Sequence, residues 1–234
     1  MIRGLLFGLT VLALLGAPVL AVAQESPGGE AAAQAVPPAE LKKWRALADK
    51  GNVKAQYRLG LMYATGQGLP RDHVEAVKWL QKAANQGYSD AQNDLGVMYD
   101  NGLGLQRNHV EAAKWFEKAA RQNHAKAQTN LGLMYMKGLG VPHDYAESVR
   151  WYRKATEQGY ARAQYNLGFM YMKGHGVPQD YGEAVRWYRK AAAQGYARAQ
   201  HSLAFMFRYG RGVRHDYDEA VKWFTKAGQQ GFAD

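Results

Sequence analysis

The sequence predicts an all-α fold, an α-solenoid of stacked helix pairs, on three observations. Trp79, Trp115, Trp151, Trp187 and Trp223 stand 36 positions apart, and so do Ala55, Ala91, Ala127, Ala163 and Ala199. Within each period the apolar residues fall at i, i+4, i+7 and i+8, as in Ala55, Leu59, Met62 and Tyr63, which is the spacing of a helix face. The chain of 234 residues has no cysteine, so neither disulfides nor thiolate metal sites hold it together. A fixed period of this size marks copies of one supersecondary unit, each too small to bury its own apolar face.

Residues 1–23 read as a cleaved signal peptide. A short basic start at Arg3 precedes an apolar run, and Ala21-Val22-Ala23 has the small-x-small form of a cleavage site. Gly4, Gly8, Gly16 and Pro18 interrupt the run, which argues against an uncleaved bilayer anchor. Cleavage leaves no stable membrane insertion, and the absence of cysteine excludes a lipid-modified lipoprotein. The expected address is therefore the periplasm or the outside of the cell. The formal charge is +10, of which the leader carries only Arg3. A basic surface suits acidic proteins, anionic lipids or polysaccharides, and export sets nucleic acid aside. Residues 24–39 are small, polar and Pro/Gly/Ala-rich and read as a flexible linker. Residues 40–51 read as an N-terminal capping helix, because Leu41, Trp44, Leu47 and Ala48 align with the latter part of the second helix of a unit.

Five repeats follow, at 52–87, 88–123, 124–159, 160–195 and 196–231. The first helix of each, helix A, carries Gly60, Gly96, Gly132 and Gly168, with Ala204 in the last repeat. A mid-helix glycine costs about 1 kcal/mol relative to alanine, so a close approach by a neighbouring helix is expected there. Helix A ends in a Gly-x-Gly pair such as Gly138/Gly140. The flanking helices and the lack of a following Gly-Lys-Ser/Thr make this a helix stop and chain reversal rather than a nucleotide loop. Helix B starts at Asp72, Asn108, Asp144, Asp180 and Asp216, with a glutamate three residues on, in the manner of a capping box. Repetition in every copy assigns these acidic residues to folding, not to paired catalytic carboxylates. Helix B stops at Gly87, Asn123, Gly159, Gly195 and Gly231, and asparagine is the common substitute for glycine in a left-handed cap.

The pattern Ala-x-x-x-Leu-Gly-x-x-Tyr, Gly-x-Gly, Asp-x-x-x-Ala-x-x-Trp, Ala-Ala-x-x-Gly resembles the Sel-one-like repeat, a variant of the tetratricopeptide class. Repeat three carries it as Ala127, Leu131, Gly132, Tyr135, Gly138, Gly140, Asp144 and Trp151. Departures are modest: Ala204 for glycine, Phe207 for tyrosine, Ser148 for alanine and Asn108 for aspartate. The resemblance implies a right-handed superhelix of antiparallel helix pairs. It also implies a concave side lined by helix A, a scaffolding or adaptor role often found in exported bacterial proteins, no cofactor and no catalytic residues.

If Ala55, Leu59, Met62 and Tyr63 face neighbouring helices, positions 54, 57, 58, 61 and 65 point into the groove. In repeats three to five these are Lys126, Thr129, Asn130, Leu133 and Lys137; Arg162, Tyr165, Asn166, Phe169 and Lys173; and Arg198, His201, Ser202, Phe205 and Tyr209. They vary between copies while the packing positions do not. Cations, amides and flat rings together suit a protein or peptide partner with acidic groups. At the far end, Val221, Trp223 and Phe224 lack a following complete repeat, so Trp223 and Phe224 form a candidate terminal interface for a homodimer or a docked partner.

No enzyme is expected. The seven histidines form no His-Glu-x-x-His arrangement, and no serine lies in a Gly-x-Ser-x-Gly or Ser-x-x-Lys motif. The favoured function is a non-catalytic interaction module. The alternative is an exported cell-wall-binding or hydrolytic protein of β-lactam or peptidoglycan type, using the basic groove for an anionic polymer.

Overall fold

A computed structural model describes residues 37–232, and among them it is helical throughout. The helices are α1 (Pro38–Asp49), α2 (Val53–Thr65), α3 (His73–Asn85), α4 (Ser89–Asn101), α5 (His109–Arg121), α6 (Ala125–Lys137), α7 (Tyr145–Glu157), α8 (Ala161–Lys173), α9 (Tyr181–Ala193), α10 (Ala197–Tyr209) and α11 (Tyr217–Gly228). Each packs on the next in chain order, the arrangement of an α-solenoid. The even-numbered helices α2 to α10 are helix A of the five repeats, and α3 to α11 are helix B.

The expected signal peptide and most of the expected linker lie outside the described residues. The linker's last residues do not: α1 begins at Pro38, two residues ahead of the expected capping helix. Proline is tolerated there because the first amides of a helix have no intrahelical acceptor.

Helix B is capped by its aspartate or asparagine. Side-chain oxygens of Asp72, Asn108, Asp144, Asp180 and Asp216 accept from the amides of Glu75, Glu111, Glu147, Glu183 and Glu219 at 2.9–3.1 Å. The returning half of a capping box is absent. Each capping residue's own amide instead donates to the carbonyl of Tyr63, Tyr99, Tyr135, Tyr171 or Phe207 in the preceding helix A. The glutamates, released from that duty, pair one turn on with Lys78, Lys114, Arg150, Arg186 and Lys222. At the other end, Asn123 takes φ 63°, the one non-glycine residue in the left-handed region among those described.

The helix-A glycines sit under the largest buried side chains of helix B. A Cβ on Gly132 would lie 2.7 Å from the Tyr152 ring, and one on Gly96, 2.7 Å from Phe116. Leu80 and Tyr188 close on Gly60 and Gly168 in the same way. In repeat five Ala204 takes this position, and the equivalent ring, Phe224, is only partly buried. The second glycine of each turn has a further role that the sequence reading did not assign. A Cβ on Gly140 would collide with the His109 carbonyl, at the start of helix B one repeat earlier, and Gly104, Gly176 and Gly212 repeat this contact.

Two glycines with left-handed backbones therefore separate conformational cost from packing cost. Gly195 has φ 83° with nothing within 4 Å of its would-be Cβ, whereas Gly140 has φ 68° and no room. Gly195→Ala should cost about 1 kcal/mol from backbone strain, and Gly140→Ala about 3 kcal/mol once overpacking is added. Chemical denaturation of the two variants checks this, and equal losses would contradict the inter-repeat contact.

Candidate binding surface

One side of helix A is committed to joining repeats. Gln56, Gln92, Gln128, Gln164 and Gln200 are buried. Gln128 donates through Nε2 to the Ala120 carbonyl at the end of α5, 3.2 Å away. Its Oε1 accepts from Gln158, the residue closing α7, at 2.8 Å. The pair recurs as Gln86 to Gln56, Gln122 to Gln92, Gln194 to Gln164 and Gln230 to Gln200. Gln56, Gln92 and Gln200 donate in the same way to the carbonyls of Ala48, Ala84 and Ala192, so these glutamines tie two consecutive helices to the helix A between them. The sequence reading overlooked this ladder, although both glutamine rows keep the 36-residue period.

At about 100° per residue, positions 54, 58, 61 and 65 stand about 160–220° round the helix from that glutamine. This row is the candidate surface. In repeat three it holds Lys126 and Lys137, both exposed, with Leu133 half-buried; in repeat four, Arg162 and Phe169 half-buried and Lys173 exposed. In repeat five it holds Arg198 and Phe205, half-buried, and Tyr209, 54% exposed.

Several of the expected groove residues have other work, Thr129 among them, fully buried with its hydroxyl donating to the Ala125 carbonyl at 2.8 Å. Position 57 lies only about 100° from the glutamine, on the flank that meets the next repeat. Tyr165 accordingly packs between Tyr188 and Tyr196, with ring centroids 5.7 and 5.4 Å away. His201 likewise lies against Phe224 and Phe232 at 5.3 and 5.1 Å. Asn130 and Asn166 do stand on the row, but only 8% and 5% exposed. Asn130 donates to Asn93 Oδ1 at 3.1 Å and accepts from Arg162 Nη1 at 3.3 Å, so it positions the arginine.

These contacts extend into a polar seam over consecutive helices A. Tyr57 donates to Asp94 Oδ2 at 3.0 Å, Asn93 donates to Asp94 Oδ1 at 3.0 Å, and Asn130 and Arg162 continue the line. His124 caps α6 by accepting from Ala127 N at Nδ1, 3.1 Å, and its Nε2 lies 2.9 Å from Asp90 Oδ1. Burial pushes the Asp94 carboxyl above its usual range, opposed by the hydrogen bonds from Asn93 and Tyr57 and by the Lys126 charge. Burial also pushes the Tyr196 phenol up, and the charges of both Arg162 and Arg198 pull it back. Between the loops of repeats three and four, Tyr145 stacks on His175 at 4.2 Å and meets the edge of His143 at 4.3 Å. Burial, then the Lys173 and His143 charges, holds His175 below its usual range.

The terminal residues are partly covered. Phe224 touches His201 and Phe205, and Lys226 lies over the Trp223 ring at 4.3 Å. Val221, beside them on α11, is 46% exposed, against 3% for Val149 and Val185 at the same position of earlier repeats. Among the described residues no three histidine or carboxylate side chains are grouped to hold a metal, and no helix is long and apolar enough to cross a membrane.

The family model for the Sel1 repeat matches residues 53–88, 89–124, 125–160, 161–196 and 197–232. Among solved structures, the chain is similar to c5321, a protective antigen of uropathogenic Escherichia coli strains displaying an SLR fold. Identity is 40% and the TM-score 0.76, over 82% of this chain and 41% of that one. A Sel1 repeat protein from Oxalobacter formigenes shares 36% identity at TM-score 0.76, over 83% of this chain and 81% of that one. The immunity protein Pa5087 from Pseudomonas aeruginosa, 24% identical at TM-score 0.57 over 81% of this chain and 73% of that one, shares the fold. No curated protein matches the chain.

The direction of the Asp94 shift gives a pH prediction. A carboxyl whose pKa is raised by folding binds its proton more tightly in the native state, so stability falls as pH climbs from the ordinary value of 3.8. Asp94→Asn should raise the melting temperature at neutral pH, with the advantage vanishing below that range. A variant that melts lower than the parent at neutral pH, or whose advantage persists in acid, would contradict the assignment.

Proposed function

The chain belongs to the Sel1 repeat family, whose members generally serve as protein–protein interaction modules and are typically non-catalytic, and from that premise we propose that it is an exported adaptor or scaffold binding a protein or peptide on the concave helix-A face of repeats three to five. The observation carrying this reading is the division of helix A into an invariant glutamine side and a variable row opposite it. That row is basic in repeats three to five through Lys126, Lys137, Arg162, Lys173 and Arg198. Neither Arg162 nor Arg198 forms an ion pair with a carboxylate among the described residues. Unpaired guanidiniums beside flat rings are what a partner with acidic groups would engage. Leu133, Phe169, Phe205 and Tyr209 add apolar contact, while Asn130 and Asn166 act beneath them as positioning residues. Export, to the periplasm or beyond, is supported by the form of residues 1–23.

The double reversal Arg162→Glu with Arg198→Glu should weaken partner capture at least about a hundredfold, two close charge contacts being worth on the order of 3 kcal/mol together. The melting temperature should stay within a few degrees of the parent. Photo-crosslinking from position 169 in intact cells, followed by titration of the captured protein, measures the loss. Undiminished capture, or turnover of β-lactam or peptidoglycan substrates by the purified chain, would contradict the reading.

The exposure of Val221 supports a second surface, the α11 face with Trp223 and Phe224, as a contact between two copies of the chain. Sedimentation should then detect a dimer that Val221→Lys dissociates. A monomer at all concentrations up to about a millimolar, a range that covers weak association, would remove this surface.

A further inference from the structure

We infer that the helix-B side of repeats three and four is a second interaction surface, which docks on an anionic phospholipid surface. Arg150, Arg153 and Lys154 stand on one stripe of α7, and Arg186, Arg189 and Lys190 repeat them on α9, all exposed. Arg150 and Arg186 are held by Glu147 and Glu183. The other cations pair with no carboxylate among the described residues, and rings hold them instead. Arg153 donates through Nη2 to the Tyr171 hydroxyl of the next helix A at 3.1 Å, and Arg189 lies 5.6 Å from the centre of Phe207, the equivalent residue. Lys154 and Lys190 lie over the rings of Trp151 and Trp187 at 4.6 and 4.4 Å. A cation held on a ring face keeps N–H donors available to an oxygen-rich partner.

The stack does not require this pattern. The equivalents of Arg153 in repeats one, two and five are Gln81, Glu117 and Thr225, and the equivalent of Arg150 is lysine in all three. Gln81 and Glu117 are turned to their own helices, bonded to Asn85 and Arg121. Arginine therefore enters at two helix-B positions in two adjacent repeats, where pairing with the helix-B glutamate needs only a lysine. Beside the turn at Gly176, the α7 cations line an open depression of about 460 Å³ together with Ala146 and Val149. That volume admits a lipid headgroup. Two cation sets with no enclosing cleft suit a fluid bilayer, which brings phosphates to whatever spacing the repeats present and whose negative potential attracts clustered basic residues. One charge opposes docking: Glu157, exposed in the wall of the depression, where repeat four has Ala193.

Vesicle cosedimentation tests this on the purified chain without residues 1–23, whose apolar run would bind lipid by itself and which lie outside α1–α11. Vesicles of phosphatidylcholine with about one-third phosphatidylglycerol should bind the chain, and vesicles of phosphatidylcholine alone should not. Arg153→Gln with Arg189→Gln should weaken binding about thirtyfold, the worth of two cations near a charged lipid surface, at an unchanged melting temperature. Arg153→Lys with Arg189→Lys should keep the binding, and Glu157→Gln should tighten it about fivefold. An equal loss from Lys42→Gln with Lys43→Gln on α1, or from Arg162→Gln with Arg198→Gln on helix A, would overturn the assignment to helix B. Equal binding of neutral vesicles, or no binding of anionic ones, would overturn the lipid surface. Soluble polyphosphate bound with the same arginine dependence, while vesicles stay free, would also overturn it.

Discussion

Everything in this molecule depends on one buried amide per repeat. The helix-A glutamine closes a carbonyl at the end of the previous helix B and accepts from the glutamine that ends its own helix B, as Gln128 does between Ala120 and Gln158. The Ala120 carbonyl already accepts from the Asn123 amide, so the group at stake is the buried glutamine amide itself, which would cost about 1–3 kcal/mol if left without these partners. The same bonds fix which side of helix A faces inward. Once that side is set, the glycine under Tyr152 and the glycine against the His109 carbonyl become obligatory, because the backbones they separate can come no closer with a side chain between them.

The constraint also frees a surface. Half a turn from the glutamine the stack dictates fewer residues: Lys126, Lys173 and Tyr209 are exposed, although Phe205 still meets Phe224 of α11. That is why lysine, aspartate and arginine alternate along Lys54, Asp90, Lys126, Arg162 and Arg198 while Ala55 and its equivalents never change. Arg162 rests on a floor that the stack itself supplies, bonded to the buried amide of Asn130 with Tyr160 beside it. Rigidity of that floor lowers the entropy lost when a ligand is held.

Most of the fold was legible because it is written in repeated local rules. Helix period, aspartate caps, the left-handed Asn123 and the small residues of helix A each follow from one segment's chemistry. What was not legible depends on two segments at once. A helical wheel places Tyr165 and His201 near the open face, but only the neighbouring repeat reveals that Tyr196 and Phe232 cover them. Asn130 reads as a free amide until Asn93 and Arg162 are seen on either side of it. The glutamine ladder had a periodic signal, yet its meaning lay in helix-end carbonyls that no sequence period displays. The capping glutamates show the converse: their expected partner, the cap amide, is taken by a tyrosine carbonyl from the preceding helix.

The central claim is that invariant positions build the stack and the variable helix-A row does the binding. Amide hydrogen exchange on the whole chain, with and without a saturating captured partner, tests it most directly. Protection should deepen in α6, α8 and α10 and leave the outer turns of α7 and α9 unchanged. Protection concentrated on the helix-B side, around Lys154 and Lys190, would contradict it.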